Sequence, residues 1–261
     1  MSKLFWFILS KDRPLQLDAL FRSMHAMTGA MVHCVVLYKT SSDRYRRAYT
    51  EVFERHKHMD LDPVLEQDFK ADVFRLVRLK NFERVAFLVD DQVFTAPVNL
   101  REILTLDANF ATYSLRLGKR ITGNPAFLQL DGLPGDWLAW RWDTGTGDWS
   151  GANSVNGNVL SRANVLAAFE HPIASRIAGP QTLETSLHAS GISARIGICS
   201  VEPQVVNLAV NRVSEDPQGT IAADTLLERW ESGYQLSLRA PAILEADSCH
   251  IMGDLALERR E

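Results

Sequence analysis

The stretch Arg84-Val85-Ala86-Phe87-Leu88-Val89-Asp90-Asp91-Gln92-Val93-Phe94 decides how the chain is read. The apolar residues from Val85 to Val89 run without interruption and stop at two carboxylates. Such a run predicts a strand buried on both faces, as in the middle of a parallel sheet. Asp90 and Asp91 then stand at its carboxyl end, where open α/β sheets place their ligand crevice. Two adjacent acids there can hold a divalent cation, and Mg2+ held by one or two carboxylates typically bridges to substrate phosphates. The plainer reading has Asp90 end the strand and Asp91 open a turn.

Upstream, Leu4 to Leu9 predicts a first buried strand, followed by the polar loop Ser10-Lys11-Asp12-Arg13-Pro14. Pro14 opens a helix whose apolar positions are Leu15, Leu17, Leu20, Phe21 and Met24. Met31 to Tyr38 reads as the second strand. Thr40-Ser41-Ser42-Asp43 caps a helix from about Arg44 to Lys57, and Asp68 to Leu79 reads as another helix. This alternation predicts a parallel, Rossmann-like first half.

Downstream the pattern changes. Asn99 to Leu106 reads as a short helix, and Trp137, Trp140, Trp142 and Trp149 crowd into a few residues. Ser154 to Ser161 reads as a turn and short strand, Arg162 to Phe169 and Thr182 to Ala189 as helices, and Ile196 to Val201 as a strand. Val205 to Asn211 looks extended, and Asp224 to Ser232 looks helical. No linker, repeat or low-complexity segment interrupts the chain. One domain with two halves, 1–98 and 99–261, is expected.

Composition narrows the function. The 261 residues, 46% hydrophobic and 23% charged, predict a packed core rather than disorder. A net charge of −4 gives no basic footprint for nucleic acid. Cys34, Cys199 and Cys249 form neither a zinc pattern nor a disulfide framework, which suits a reducing cytoplasm. The N-terminal apolar run is short and is followed at once by charge, so a signal peptide is not expected. No stretch approaches the ~20 apolar residues of a membrane span, although peripheral membrane contact remains compatible. The GxGxxG, GxxxxGK[ST] and GxSxG patterns are missing from their expected places, which removes the main support for dehydrogenase, P-loop and α/β-hydrolase readings.

Four segments in order carry a resemblance: Ser10-Lys11-Asp12-Arg13-Pro14-Leu15-Gln16-Leu17, Val89-Asp90-Asp91-Gln92-Val93-Phe94, Tyr113-Ser114-Leu115-Arg116-Leu117-Gly118 and Gly147-Asp148-Trp149. Together they resemble a GT-A glycosyltransferase, and more narrowly a bacterial group of glycosyltransferases. The resemblance implies an α/β, three-layer GT-A (Rossmann-like) fold with a mostly parallel central sheet. Residues 1–98 would bind the nucleotide sugar, and a mixed acceptor-side half would span 99–261. It implies a nucleotide-diphosphate sugar donor and a hydroxyl acceptor, on a bacterial glycan in polysaccharide biosynthesis, in a hexosyltransferase-like reaction. It implies Mn2+ or Mg2+, with Asp90 and Asp91 standing for the DxD motif; Gln92 at the third position departs from that motif.

The resemblance also suggests site residues. Ser10, Lys11, Asp12, Arg13 and Asp90 would meet the nucleotide, and Arg116, with Lys119 and Arg120 nearby, the phosphates. Asp90, Asp91 and His250 would hold the metal. Glu184 would be the base, with Asp148 as its rival. In the related group an Asp is expected near Asn156, and Asn takes no proton at neutral pH. Either the base lies elsewhere or the chain is impaired. Each residue also has a structural reading: a solvated loop for Asp12 and Arg13, a capping Glu, a turn Asp, a structural His. The Trp cluster reads as core with one or two indoles near the acceptor. A non-catalytic nucleotide-sugar or glycan-binding relative is the alternative function. A sugar-phosphate nucleotidyltransferase ranks below it because the Gly-rich loop after the first strand is missing.

Overall fold

A computed structural model describes residues 4–29, 32–209, 211, 221–239, 247–251 and 256–260. The first half runs β1 (Leu4–Lys11), α1 (Pro14–Thr28), β2 (Cys34–Lys39), α2 (Asp43–Arg55), β3 (Leu61–Leu65), α3 (Phe69–Leu79), β4 (Arg84–Val89) and β5 (Gln92–Phe94). It continues with α4 (Leu100–Ile103), β6 (Ala111–Ser114), β7 (Trp137–Arg141), β8 (Asn158–Ser161), α5 (Arg162–Glu170), α6 (Pro180–Ala189) and β9 (Ile196–Ser200). The last elements are β10 (Val205–Leu208), α7 (Ala223–Glu231), β11 (Tyr234–Leu236), β12 (His250–Ile251) and β13 (Leu257–Arg259).

The central sheet has eight strands in the order β3-β2-β1-β4-β8-β6-β9-β7. β1 pairs in parallel with β2 and β4, and β2 in parallel with β3. β8 is antiparallel to both β4 and β6, and β7 is antiparallel to β9. Period-two side-chain alternation builds a layer on each face. Trp6, Ile8, Ala86 and Leu88 pack with α1 and α2 residues such as Leu20 and Tyr49. Phe5, Phe7, Val85 and Phe87 pack with Val73 of α3, Val165 of α5 and Leu183 of α6. The result is an α/β, three-layer arrangement, as the apolar runs predict.

Local chemistry sets the helix ends. Pro14 begins α1, and Gly29 ends it in the left-handed region at φ 56°. The Ser42 side chain accepts from the Tyr45 amide, and Asp68 Oδ1 accepts from the Ala71 amide at 2.7 Å. Two details lie outside the expectations. β3 falls between the expected helices, in a stretch given no element, and its Pro63 is accommodated because β3 is the sheet edge. The helix expected over Asn99 to Leu106 is only Leu100–Ile103.

A second sheet, β12-β10-β5, spans the expected division between the halves. β10 pairs antiparallel with β5 and parallel with β12, bringing Asn207 opposite both Gln92 and His250. The chain end folds back on the first half. β13 pairs with β11, and Arg260 lies 3.8 Å from the Trp230 ring centre and bonds Glu51 of α2.

Beneath α1, Asp18 is fully buried between His56 Nε2 at 3.0 Å, Arg22 Nε at 2.8 Å and Arg55 Nε at 3.3 Å. Burial pushes its pKa up, but the His56 hydrogen bond and the Arg22 charge outweigh burial and leave it below the ordinary carboxylate value. Its contribution to stability is therefore present above the unfolded-state pKa of about 4 and is lost as pH falls through the lower folded-state value. Asp18→Asn is expected to lower stability at pH 7 and to flatten the acid limb below about pH 4 in a pH series of urea denaturations.

Candidate active site

The carboxyl ends of β1, β4 and β6 gather most of the residues singled out in the sequence. Asp90 is 3% exposed. Its Oδ2 accepts from the Ser10 hydroxyl at 2.8 Å and the Lys11 amide at 3.1 Å. Its Oδ1 lies 2.9 Å from Arg13 Nη1, and the same Nη1 reaches Asp91 Oδ2 at 3.1 Å. One guanidinium nitrogen thus bridges both carboxylates. Burial pushes the Asp90 carboxyl above its ordinary value, and the Arg13 charge opposes that shift. Burial alone would lower the Arg13 pKa, but Asp90 and Asp91 together hold it raised.

The loop after β1 is built to aim Arg13 at the pair. Asp12 takes φ 53°, a left-handed conformation uncommon for a side-chain-bearing residue, and its Oδ1 accepts from the Ser41 amide at 2.8 Å. The Arg13 amide donates to the Tyr49 hydroxyl at 3.1 Å, and its Nη2 donates to the Asn211 carbonyl. Ser10 donates to Asp90, so Tyr49 donates to the Ser10 oxygen, and burial pushes the Tyr49 hydroxyl pKa up and keeps it a donor. Ser10, Lys11 and Arg13 therefore converge on Asp90, while Asp12 ties the loop to the one after β2.

Arg116 organises a second group. Its side chain is 4% exposed, with Nη1 3.5 Å from Asp148 Oδ1 and 3.4 Å from His250 Nε2. Its Nη2 donates to the Ser154 hydroxyl at 3.3 Å, and its buried Nε has no hydrogen-bond partner. These are long contacts for a buried guanidinium. Glu184, on α6, turns toward the same loop: its Oε2 accepts from the Val155 amide at 3.1 Å and the Ser154 hydroxyl at 3.3 Å. The Asn156 side-chain Nδ2 donates to that oxygen at 3.5 Å. Glu184 is not the capping residue of its helix; Thr182 Oγ1 takes that role, accepting from the Gly179 amide at 2.9 Å.

Gly157 joins the two groups. It holds φ 84°, and a Cβ there would lie 3.1 Å from Arg116 Cγ and 3.2 Å from Gln92 Nε2. Gly157→Ala is expected to destabilise the fold by about 1–3 kcal/mol through crowding, with added backbone strain. Denaturant titration measures it, and the same variant should weaken any ligand that Arg116 holds.

Tyr49, Gln92, Asn207 and Asn211 join the site without having been singled out as site residues. Gln92 Oε1 accepts from the Val89 amide at 3.1 Å, and Asn207 Nδ2 donates to Asp91 Oδ1 at 3.0 Å. Asn211 Oδ1 accepts from Gln16 Nε2 at 2.9 Å. The signal for Asn207 was a polar residue inside an apolar extended stretch. Tyr49 gave none, since an aromatic on the apolar side of a helix reads as core. Trp140, Trp142 and Trp149 are core, buried together with their rings 4.7 to 4.9 Å apart in the Trp140 pairs. Trp137 is half-buried against Tyr113. Arg120 lies 3.9 Å from Glu202.

A divalent ion can be tested against these donors. Asp90 is buried, with Oδ2 taken by Ser10 and Lys11 and Oδ1 held by Arg13. The Asp91 side chain is 17% exposed, and each of its oxygens has one protein partner, which leaves lone pairs for an ion. Among the described residues no three His, Cys, Asp or Glu side chains converge to hold a metal, and His250 meets Arg116. This donor set fits an ion of the Mg2+ type, held by one carboxylate and completed by substrate phosphates, rather than a protein-only cage.

A cavity of about 330 Å3 lies at the other end of the sheet, lined by Trp6, Met24, His25, Cys34 and His58. It is at the amino ends of β1 and β2, away from the Asp pair.

Solved structures share this architecture. Staphylococcus aureus TarS matches 78% of the chain and 36% of its own, at TM-score 0.50 and 10% identity. Its fragment 1–349 matches 77% of the chain and 59% of its own, at TM-score 0.50 and 9% identity. The chain has the GT-A fold. A mannosyltransferase from Pyrobaculum calidifontis, solved with GDP-Man and Mn2+, matches 77% of the chain and 57% of its own at TM-score 0.46 and 10% identity. The GT-A chain thus spans well under two thirds of these relatives. No protein-family model matches it, and no curated protein is similar to it. Among the described residues no helix is long and apolar enough to cross a membrane.

Proposed function

We propose that the chain is a glycosyltransferase that moves a sugar from a nucleotide-diphosphate sugar to a hydroxyl on a bacterial glycan, within the cytoplasm. The observation that carries this reading is that two polar groups, the Asp pair with Arg13 and the buried Arg116 with the loop that Glu184 holds, stand on either side of Gly157 in a GT-A fold.

The roles follow from the chemistry. The loop from Ser10 to Arg13 meets the nucleotide. Arg116, buried and loosely partnered, offers a fork of donors to the diphosphate, and such charge-assisted bonds strengthen where water is excluded. A bound Mn2+ or Mg2+ would add Lewis-acid neutralisation of the leaving group, with Asp91 as its carboxylate. Glu184 is oriented through Oε2 by the Val155 amide, which leaves Oε1 to take the acceptor proton. Asp148, 34% exposed beside Arg116, is the rival base. Asn156 in place of an acid supports the second reading, a non-catalytic nucleotide-sugar or glycan binder.

Thermal stabilisation by UDP, GDP, CMP and dTDP and their common sugars, with and without Mn2+, tests the donor site, because a ligand of the native state raises stability by mass action. One nucleotide is expected to stand out, and radiolabel from its sugar is expected to reach an acceptor. No stabilisation of the folded protein by any of them would sink the reading. Stabilisation with no transfer to any glycan acceptor would favour the binder.

A further inference from the structure

We infer that Arg13 is a latch on the cation position, so that the free protein excludes divalent ions and the cation enters only together with the diphosphate. The inference rests on the proposed donor site and deepens it. A single nitrogen, Arg13 Nη1, lies 2.9 Å from Asp90 Oδ1 and 3.1 Å from Asp91 Oδ2, so it stands directly against the carboxylate that would hold the ion. The Arg13 side chain is 11% exposed, so the contact is well shielded from solvent. A divalent ion arriving alone at Asp91, its one accessible carboxylate, would lie against this buried cation and be repelled by it unless the arginine moved aside. No third protein ligand converges to repay that cost among the described residues. Diphosphate oxygens change the balance, since they complete the ion's shell and offer Arg13 a new anionic partner.

Arg13 is able to make that move. Its Nε is buried without a hydrogen-bond partner, so besides the two acids the swing has to break only the Nη2 bond to the Asn211 carbonyl. Asp90 keeps two other donors, the Ser10 hydroxyl and the Lys11 amide, and stays satisfied when the arginine leaves. Asp91 keeps Asn207. The anchor for the motion is the Arg13 amide on Tyr49, which fixes the backbone while the side chain swings.

The test is Mn2+ uptake, read as loss of the free-ion signal in electron paramagnetic resonance beyond the loss that the same nucleotide causes without protein, with no turnover needed. Wild-type protein alone is expected to take up Mn2+ at least about tenfold more weakly than in the presence of saturating UDP, or whichever nucleoside diphosphate stabilises it; by reciprocity, Mn2+ must tighten that nucleotide by the same factor. Arg13→Gln, which removes the charge but keeps a similar length, is expected to bind Mn2+ without nucleotide at least about tenfold more tightly than wild type, whereas Arg13→Lys should not. Equal uptake by wild type with and without nucleotide, or no gain in folded Arg13→Gln, overturns the latch. If Arg13→Gln does not fold, the reciprocal titration of wild type decides alone. If no nucleotide binds, the donor-site reading fails, and the Arg13→Gln comparison without nucleotide still decides the latch.

Discussion

Glu184→Gln is expected to cut sugar transfer by ~10²–10⁴-fold while leaving nucleotide binding intact, the loss typical of removing a general base. The substitution is close to isosteric. A Gln carbonyl oxygen can still accept from the Val155 amide, so the 154–156 loop keeps its place and only the proton acceptor is lost. The loss should fall on kcat rather than on donor affinity, because Glu184 contacts the loop behind Arg116 rather than the Asp pair. Asp148→Asn separates the rival assignment. It should weaken the diphosphate by altering the Arg116 charge balance, with a smaller effect on kcat. If Asp148→Asn removes turnover and Glu184→Gln does not, Asp148 is the base.

Asp90→Ala should lower stability by about 3 kcal/mol or more, because Arg13 loses the more buried of its two carboxylates and two further donors lose their acceptor. Arg13 would keep only the shallower Asp91, and the Ser10 hydroxyl and Lys11 amide would lose their acceptor together. Asp91→Ala should cost much less, because Arg13 retains Asp90. Urea denaturation of the two variants side by side measures the difference. Comparable losses would mean that the pair is energetically symmetric and that the burial difference between the two acids has no consequence.

These contrasts also mark how far the sequence could be read. β1 and β4 were legible because an unbroken apolar run has one economical fate in an α/β protein, and the acids that close the second run fall at the crevice end for the same reason. Ser42 and Asp68 announced their helices through capping chemistry that is local to a few residues. The three-residue β5 and two-residue β12 carry too little pattern to be seen, and the register that sets Asn207 opposite Gln92 joins residues 115 positions apart. The bridge from Arg13 to both acids was hidden as well. The sequence shows a basic residue in a loop, and only the left-handed turn at Asp12 and the Tyr49 hydroxyl decide where it points. The Trp cluster misled in part, since indoles suit a sugar face and a core equally well until burial is known.

The closing of the chain end over the first half has a consequence for biosynthesis. On the ribosome, β5 emerges long before β10, its antiparallel partner, and Glu51 waits for Arg260, 209 positions further on. Until those residues emerge, the segment from β1 to β5 carries an unpaired strand edge and a partly uncovered α1–α2 face, the kind of surface that invites aggregation. Nascent chains stalled before Val205 should stay protease-sensitive around Phe94, and protection should arrive only once Val205 to Leu208 clear the exit tunnel.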